Sequence, residues 1–399
     1  MNRVLPLAAT ARLLVVPLMP DPNGTGLARR AFGLLKALSA SGDDVHLIVF
    51  HIYGGREDAP HEAIDLAHTI TRIEPWAFTD THARLIEMFG QGTSAYPKPW
   101  PMRFCTPSAS EAVGDAAPDN VGVVMIMRLA LAPLVQSFAA RPRRPLLVLD
   151  FDEDDALREE RLSSQGLGSH NEASVWRTAL TEWSAAFDRF TASTDQDAAR
   201  LSNATGRSVR VVANPLPMIE ASERQGSSSV MRLLFVGSLD YAPNADAVRW
   251  LSQEIVPAIR NFWPGRLVID VVGPGGSEIG PLDVAMCVHG WVEDLTVVYA
   301  LADIAVAPIR AGAGSRLKIL EAFSAGVPVI STPIGAEGLL IADGINISLA
   351  EDAVGFARAC VALKNSPERA LSQARAAREG LDHRHGSKAL AHAMALALS

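Results

Sequence analysis

Cysteine is scarce in this chain: Cys105, Cys287 and Cys360 are the only three in 399 residues, and no C-x-x-C pair occurs. An odd, widely spaced set excludes a disulfide framework and offers no structural zinc site. A reducing, cytoplasmic compartment is the expectation. Long apolar runs are also missing. None approaches the ~18 residues that a membrane-spanning helix needs. Positive charge is not in excess either: the net charge is −8, so bulk electrostatics disfavour a nucleic-acid partner. With 48% hydrophobic and 20% charged residues the composition is globular rather than disordered. The length suits two or three domains. The first twenty residues, MNRVLPLAATARLLVVPLMP, superficially resemble a secretory signal, but Arg12 interrupts them. Residues 13–19 are better used as a first buried strand.

Short apolar runs alternate with longer amphipathic stretches, the rhythm of βαβ units. Strands are expected at Leu13–Met19, Val45–Phe50, Val121–Met127, Leu146–Phe151, Arg189–Ala192 and Val209–Ala213. Helices are expected at Leu27–Ala40 and Asn171–Phe187, the latter with Trp176 and Trp183 on one face. Residues 91–109, which include YPKPWPMRF, carry no periodicity and read as an exposed loop. A polar linker is expected at 215–230, and a second series follows: strands Arg232–Val236, Leu267–Val272, Val288–Val292, Asp303–Pro308 and Val327–Ser331, with helices Asn244–Phe262, Leu295–Leu301 and Ser315–Ala325. The expected organisation is a domain over 1–214, a second over 231–380, and a C-terminal helical segment, 381–399, that crosses back to the first. The fold class is α/β, two doubly wound Rossmann-like domains facing across a cleft at the carboxyl ends of their strands.

The most informative segment is PIRAGAGSRLKILEAFSAGVPVIST, residues 308–332. Gly312 and Gly314 let the backbone approach a ligand, and Ser315 is a candidate N-cap. The exposed N–H groups of the Gly312–Arg316 backbone and the helix dipole then favour an anion. Arg316 and Lys318 fall in the first turn, where cations are unfavourable unless an anion is bound there. Glu321 lies ~9 Å along the axis from the cap, in reach of sugar hydroxyls of a nucleotide whose phosphates sit at the cap. The plain alternative is an i,i+3 surface pair of Lys318 with Glu321.

The motifs GSLDYAPNADAVRWL, DVVGPG, GWVEDL and GAGSRLKILEAFSAGVPVISTPIGAEGL, in this order, resemble the donor-binding half of retaining glycosyltransferases of family GT4, which have the GT-B fold. The likeness is nearest to bacterial sugar transferases of exopolysaccharide assembly. It implies a nucleotide-diphosphate sugar as donor and co-substrate, no metal or other cofactor, and a glycan or lipid-linked acceptor. It places donor contacts at Gly237, Ser238, Gly273, Trp291, Val292 and the Gly312–Ser315 loop, with Glu321 holding the ribose as the second Glu of the family's E-x7-E motif. The first Glu of that motif is Ala313 here. The family's Arg and Lys after the first strand of this domain are replaced by Ser238 and Asn244, which leaves Arg316 and Lys318 as the catalytic cations that hold the leaving phosphate. Two alternatives stay open: a nucleotide-sugar epimerase of the same layout, and a nucleotide-sugar-binding or scaffold protein impaired in catalysis.

The first half offers acceptor or cleft candidates. Gly24 and Gly26, in PDPNGTG, either aim a helix start at phosphates or form an ordinary βα turn. Asp150 and Asp152, in DFDEDD, either face the acceptor or belong to an acid-rich helix start. A D-x-D metal site is disfavoured because neighbouring strand residues point to opposite faces. Arg128 contacts an acceptor or a phosphate, or forms a salt bridge. The basic cluster Arg141–Pro145 is either an ordinary loop or a peripheral contact with an anionic membrane.

Overall fold

Strand β1 (Ala11–Val16) sends its side chains alternately into two cores, Leu13 and Val15 to one, Leu14 and Val16 to the other. The same alternation splits β2 (Val45–Phe50), where Ile48 and Phe50 face one core and Leu47 and Val49 the other. A strand buried on both faces belongs to a parallel sheet covered by helices on both sides. In the computed structural model the described residues are 11–53, 57–75, 98–168, 170–216, 219, 229–277, 279–314 and 316–399. The chain divides into two units. One comprises Met1–Glu160, Ser169–Pro215 and Ser387–Ser399; the other comprises Arg161–Gly168 and Leu216–Gly386. Much of the 215–230 segment expected as a linker lies outside the described residues.

In the first unit, β1 and β2 join β3 (Thr69–Ile73), β4 (Val121–Met127), β5 (Leu146–Asp150), β6 (Arg189–Ala192) and β7 (Val209–Val211). All pairings are parallel, in the order β3-β2-β1-β4-β5-β6-β7. The order reverses between β1 and β4, the position where a doubly wound sheet opens a crevice. The Gly26–Ser39 helix covers one face, and the Ser387–Leu398 helix packs on it through Leu390, Met394 and Ala397. On the other face the His170–Ser184 helix buries both Trp176 and Trp183.

The second unit repeats the plan. Strands β8 (Val230–Val236), β9 (Arg266–Val272), β10 (Met286–Gly290), β11 (Ile304–Ala307), β12 (Val329–Ser331) and β13 (Ser348–Leu349) form a parallel sheet in the order β10-β9-β8-β11-β12-β13. Here the order reverses between β8 and β11. The single helix expected over Asn244–Phe262 is a continuous helical run, Ala242–Trp250 and Val256–Phe262, joined by a π-turn at Leu251–Ile255. Pro257 supplies no N–H to the ladder and crowds the preceding turn, and the wider π-turn absorbs both effects.

One expectation is corrected. Residues 98–109 are not an exposed loop. Trp100–Phe104 is a 3-10 turn and Pro107–Asp115 an α-helix, with Met102, Phe104 and Cys105 buried. Thr106 caps that helix by accepting from Ala109 N at 3.2 Å, with Pro107 at its first position. A proline-rich, aperiodic stretch hides a helix start in which proline is favourable. Residues 91–97 of the same segment lie outside the described residues. Among the described residues no helix is long and apolar enough to cross a membrane.

Candidate functional site

The crevice of the second sheet is bounded by the ends of β8 and β11. Three neighbouring loops are tied together there by backbone hydrogen bonds. Gly237 N donates to Val272 O, Leu239 N to Pro274 O, and Gly273 N to Gly290 O, each at 2.8 Å. The approach is so close that a Cβ at Gly273 would stand 2.1 Å from Gly237 O, so no other residue fits without moving backbone. After β11, Pro308–Gly314 turns with Gly312 at φ 112° and Gly314 at φ 78° before the Leu317–Ser324 helix. Ser315, the expected N-cap, lies outside the described residues.

Arg316 is corrected in position. It is the residue before the helix rather than part of the first turn, and it is buried. Its guanidinium donates to Ala313 O at 2.8 Å and to Ile334 O at 3.1 Å. Those bonds bridge the glycine loop to the turn after β12, so Arg316 shapes the loop. The loop is also held from outside. Arg310 makes a bidentate pair with Asp246, at 3.0 and 2.6 Å, and lies over the Trp250 ring. Arg161, which belongs to this unit, donates to Gly312 O at 2.9 Å and pairs with Glu337.

Lys318 is directed into the crevice. Its Nζ donates to Asn244 Oδ1 at 2.6 Å and lies 4.3 Å from the centre of the Phe235 ring. A Cβ at Gly237 would fall 2.9 Å from that nitrogen, which locates it at the carboxyl end of β8. Burial of the amine and then the neighbouring Arg316 charge lower its pKa to about 7, against the opposing pull of Glu321. One turn further on, Glu321 is buried and accepts a hydrogen bond from Tyr299 Oη at 2.9 Å. Lys318 and Glu321 thus each have a partner of their own. Ser238 is bound through its backbone, its carbonyl accepting from Asn244 Nδ2 at 2.8 Å. Ala313 is buried, and no carboxylate stands at that position. Gly290 turns the chain after β10 with φ 70°; Trp291 behind it is 55% exposed, whereas Val292 packs partly on the core.

In the first unit the loop after β1 is organised by Asp21, whose Oδ1 accepts from Asn23 N at 2.8 Å, and by Thr25, which caps the Gly26–Ser39 helix. Gly24 lies against Asp21 and Ala28, where a Cβ would come within 2.8 Å of Ala28 Cβ. At the end of β4, Arg128 is a buried hub. It donates to Asp152 Oδ2 at 3.1 Å and to Glu153 Oε1 at 2.8 Å, and it pairs with Asp155. Arg158 completes the cluster on Glu153 at 2.6 Å and Asp155 at 2.9 Å. Arg128 and Asp152 are the two non-glycine residues with positive φ among those described, at 75° and 60°. Burial, reinforced by Glu153 and opposed by Arg128, pushes Asp152 up to about 7. Glu153 moves the other way: burial would raise it, but Arg128 and Arg158 outweigh burial and hold it at about 2. Asp150 does not face the crevice beside Asp152: it is wholly buried and turns inward onto Arg30. Of the basic cluster, Arg141 is engaged with Gly114 O and Arg144 with Asp188.

Phe235, Tyr299, Arg30 and Arg158 escape a reading of the sequence as site residues, and Asn244 is read there only as the position of a missing cation. All but Arg158, whose partners Glu153 and Asp155 are near in sequence, are defined by a partner distant along the chain that no local motif announces.

Two doubly wound parallel sheets with these crossovers define the GT-B fold. Residues 231–366 match the family described as glycosyl transferases group 1. No curated protein matches the chain in sequence. Among solved structures, sucrose-phosphate synthase from Thermosynechococcus elongatus is similar over 97% of this chain and 98% of its own, at 16% identity and TM-score 0.68. Anabaena Alr3699/HepE, in complex with UDP and glucose, is similar over 98% and 99%, at 14% identity and TM-score 0.63. TarM from S. aureus, in complex with Fondaparinux, alpha-GlcNAc-glycerol and UDP, is similar over 98% and 100%, at 9% identity and TM-score 0.69. At these identities the likeness is one of fold.

Proposed function

We propose that the protein transfers a glycosyl group from a nucleoside-diphosphate sugar to a glycan or lipid-linked acceptor, with retention of configuration. The observation that carries this reading is the placement of Lys318 Nζ at the carboxyl end of β8, beside Gly237 and across from the Gly312–Gly314 loop, with Glu321 one turn deeper. The family matched over 231–366 supports it, as do structural relatives crystallised with UDP.

In this reading the diphosphate sits between the ends of β8 and β11, Glu321 holds the ribose, and the Gly290–Val292 turn lies against the base. As the bond from the anomeric carbon to the diphosphate breaks, negative charge grows on the leaving oxygen. Lys318 and the N–H groups of the loop stabilise that charge before and during the step, an effect worth about 2–4 kcal/mol per donor in comparable sites. Arg316 holds the loop in shape for it. The acceptor enters on the face the leaving group departs from, which gives retention without a covalent intermediate. Asp152, at the crevice of the first sheet, is assigned to acceptor recognition, with Arg128 positioning it from within a buried set of ion pairs; Asp150 is not, since its carboxylate is closed off by Arg30.

The test is a thermal-shift screen against UDP-, GDP-, ADP- and TDP-sugars, followed by product analysis with the stabilising donor. Stabilisation by one donor in the wild type, lost in Lys318→Ala, supports the reading. No shift with any of them refutes it. Ala313 favours a second reading, a protein that binds the donor without turning it over. Binding with neither transfer nor hydrolysis would establish that one.

A further inference from the structure

Among the described residues, the hydrogen-bond partner of the Lys318 amine is a neutral amide rather than a carboxylate. Asn244 reaches it from the start of the helix that follows β8, whereas Lys318 rides on the helix that follows β11. The amide is itself fixed: its Nδ2 donates to Ser238 O at 2.8 Å, which leaves Oδ1 aimed at Lys318. Asn244 is buried, at 8% exposure, and a Cβ at Gly237 would meet its Nδ2 at 2.7 Å, so the glycine is what admits the amide beside the amine. The Phe235 ring closes the far side of the amine. The charged groups that face the amine are Arg316 from the loop and Glu321 from its own helix, and Tyr299 occupies one oxygen of Glu321.

We propose that Asn244 is a positioning residue: its carboxamide, anchored on Ser238 O, holds the Lys318 nitrogen at the carboxyl end of β8, where the phosphates of the donor meet it. The proposal rests on the donor-site reading above. An amide suits this task better than a carboxylate. It orients the amine but adds no negative charge to compete with the incoming anion. The amine held by Asn244 alone is only partly charged near neutrality, and an arriving diphosphate completes its charge by drawing a proton. Burial, Arg316 and Glu321 put the midpoint near neutrality, and a change of the side chain that contacts the amine from position 244 shifts the pH at which the site loses its grip on the anion.

The test is isothermal titration of the full chain with UDP, GDP, ADP and TDP from pH 5.5 to 9, carried out on whichever binds. In the wild type, affinity should hold below about pH 7 and fall by up to tenfold per pH unit above it. Asn244→Asp should weaken binding at pH 6 while moving that fall to higher pH, because a carboxylate stabilises the ammonium. Asn244→Leu should move it to lower pH. Asn244→Ser, a gentler change should the leucine variant fail to fold, should lie between wild type and leucine. Lys318→Arg should remove the fall, since guanidinium does not titrate in this range; the ionisation of the ligand itself is common to all variants. Wild-type midpoints in the aspartate, leucine and serine variants, whatever their affinity, would overturn the positioning role and leave the donor site standing. Absence of binding by all four nucleotides at every pH would overturn both.

Discussion

Asp150 is wholly buried against Arg30, 120 positions away in the chain, with Arg30 NH2 and Nε at 2.5 and 3.2 Å from its two oxygens. Thr191 Oγ1 donates to the same carboxylate at 2.6 Å, and Arg30 donates onward to Val212 O and, at 3.3 Å, to Asn214 Oδ1. This network joins the Gly26–Ser39 helix to β5, β6 and the segment after β7. A buried pair of this kind is costly to break from one side, because the survivor is left charged and alone. Asp150→Ala should therefore lower unfolding free energy by about 3–5 kcal/mol in urea titration, and Arg30→Met combined with Asp150→Leu should recover part of that loss. A near-neutral Asp150→Ala would refute the structural role.

The acid–arginine cluster at the end of β5 makes stability depend on pH. Asp152 has a folded pKa of about 7, above the ordinary carboxylate value. The native state then binds more protons than the unfolded state between about pH 4 and 7, so this residue makes stability fall as pH rises through that window. Glu153, held at about 2, acts in the opposite sense: it contributes stability above its ordinary pKa and loses it as pH drops toward 2. Asp152→Asn should flatten the decline between pH 4 and 7 in denaturation curves and leave the acid limb in place. An unchanged slope would contradict the assignment.

Glu321 and Tyr299 should separate the nucleoside from the phosphates. Glu321→Gln is expected to weaken the nucleoside diphosphate that binds by about 1.5–3 kcal/mol, the scale of a hydrogen bond to a charged group, and to weaken inorganic pyrophosphate by less, through the lost pull on the Lys318 charge. Tyr299→Phe, which removes the hydroxyl that orients Glu321, should show the same selectivity at about 0.5–1.5 kcal/mol. Equal losses for the nucleoside diphosphate and pyrophosphate would place Glu321 away from the ribose.

Arg316 and Lys318 should fail in different ways. Arg316→Ala removes two bonds to backbone carbonyls and should cost stability, about 1–3 kcal/mol, along with turnover. Arg316→Lys should not restore it, because an ammonium cannot reproduce the forked geometry. Lys318→Ala should keep its melting temperature within a few degrees and lose about 2–4 kcal/mol in the barrier to transfer. Equal effects of the two alanine variants on both readouts would contradict this division.

Much of the architecture is legible because parallel strands buried on both faces read as apolar runs: Val45–Phe50, Val121–Met127 and Arg189–Ala192 have the same bounds in sequence and structure. The helix after β11 is legible too, shortened to Leu317–Ser324 because Arg316 is drawn back onto Ala313 O. The partnerships are what the sequence conceals. The bond between Asn244 and Lys318 spans 74 positions, and the pairs Arg128–Asp152 and Arg30–Asp150 span 24 and 120. Neither periodicity nor capping rules report on contacts made only when distant strands align. The helix at Pro107–Asp115 was hidden for a different reason, its start lying in proline-rich sequence where local rules signal a break.

The most direct measurement of the central claim is a crystal structure with whichever nucleoside diphosphate stabilises the protein. The account predicts phosphate oxygens within hydrogen-bond distance of Lys318 Nζ, between Gly237 and the Gly312–Gly314 loop, with Glu321 on the ribose. Phosphates seated away from this crevice, with Lys318 still bound to Asn244 alone, would contradict it.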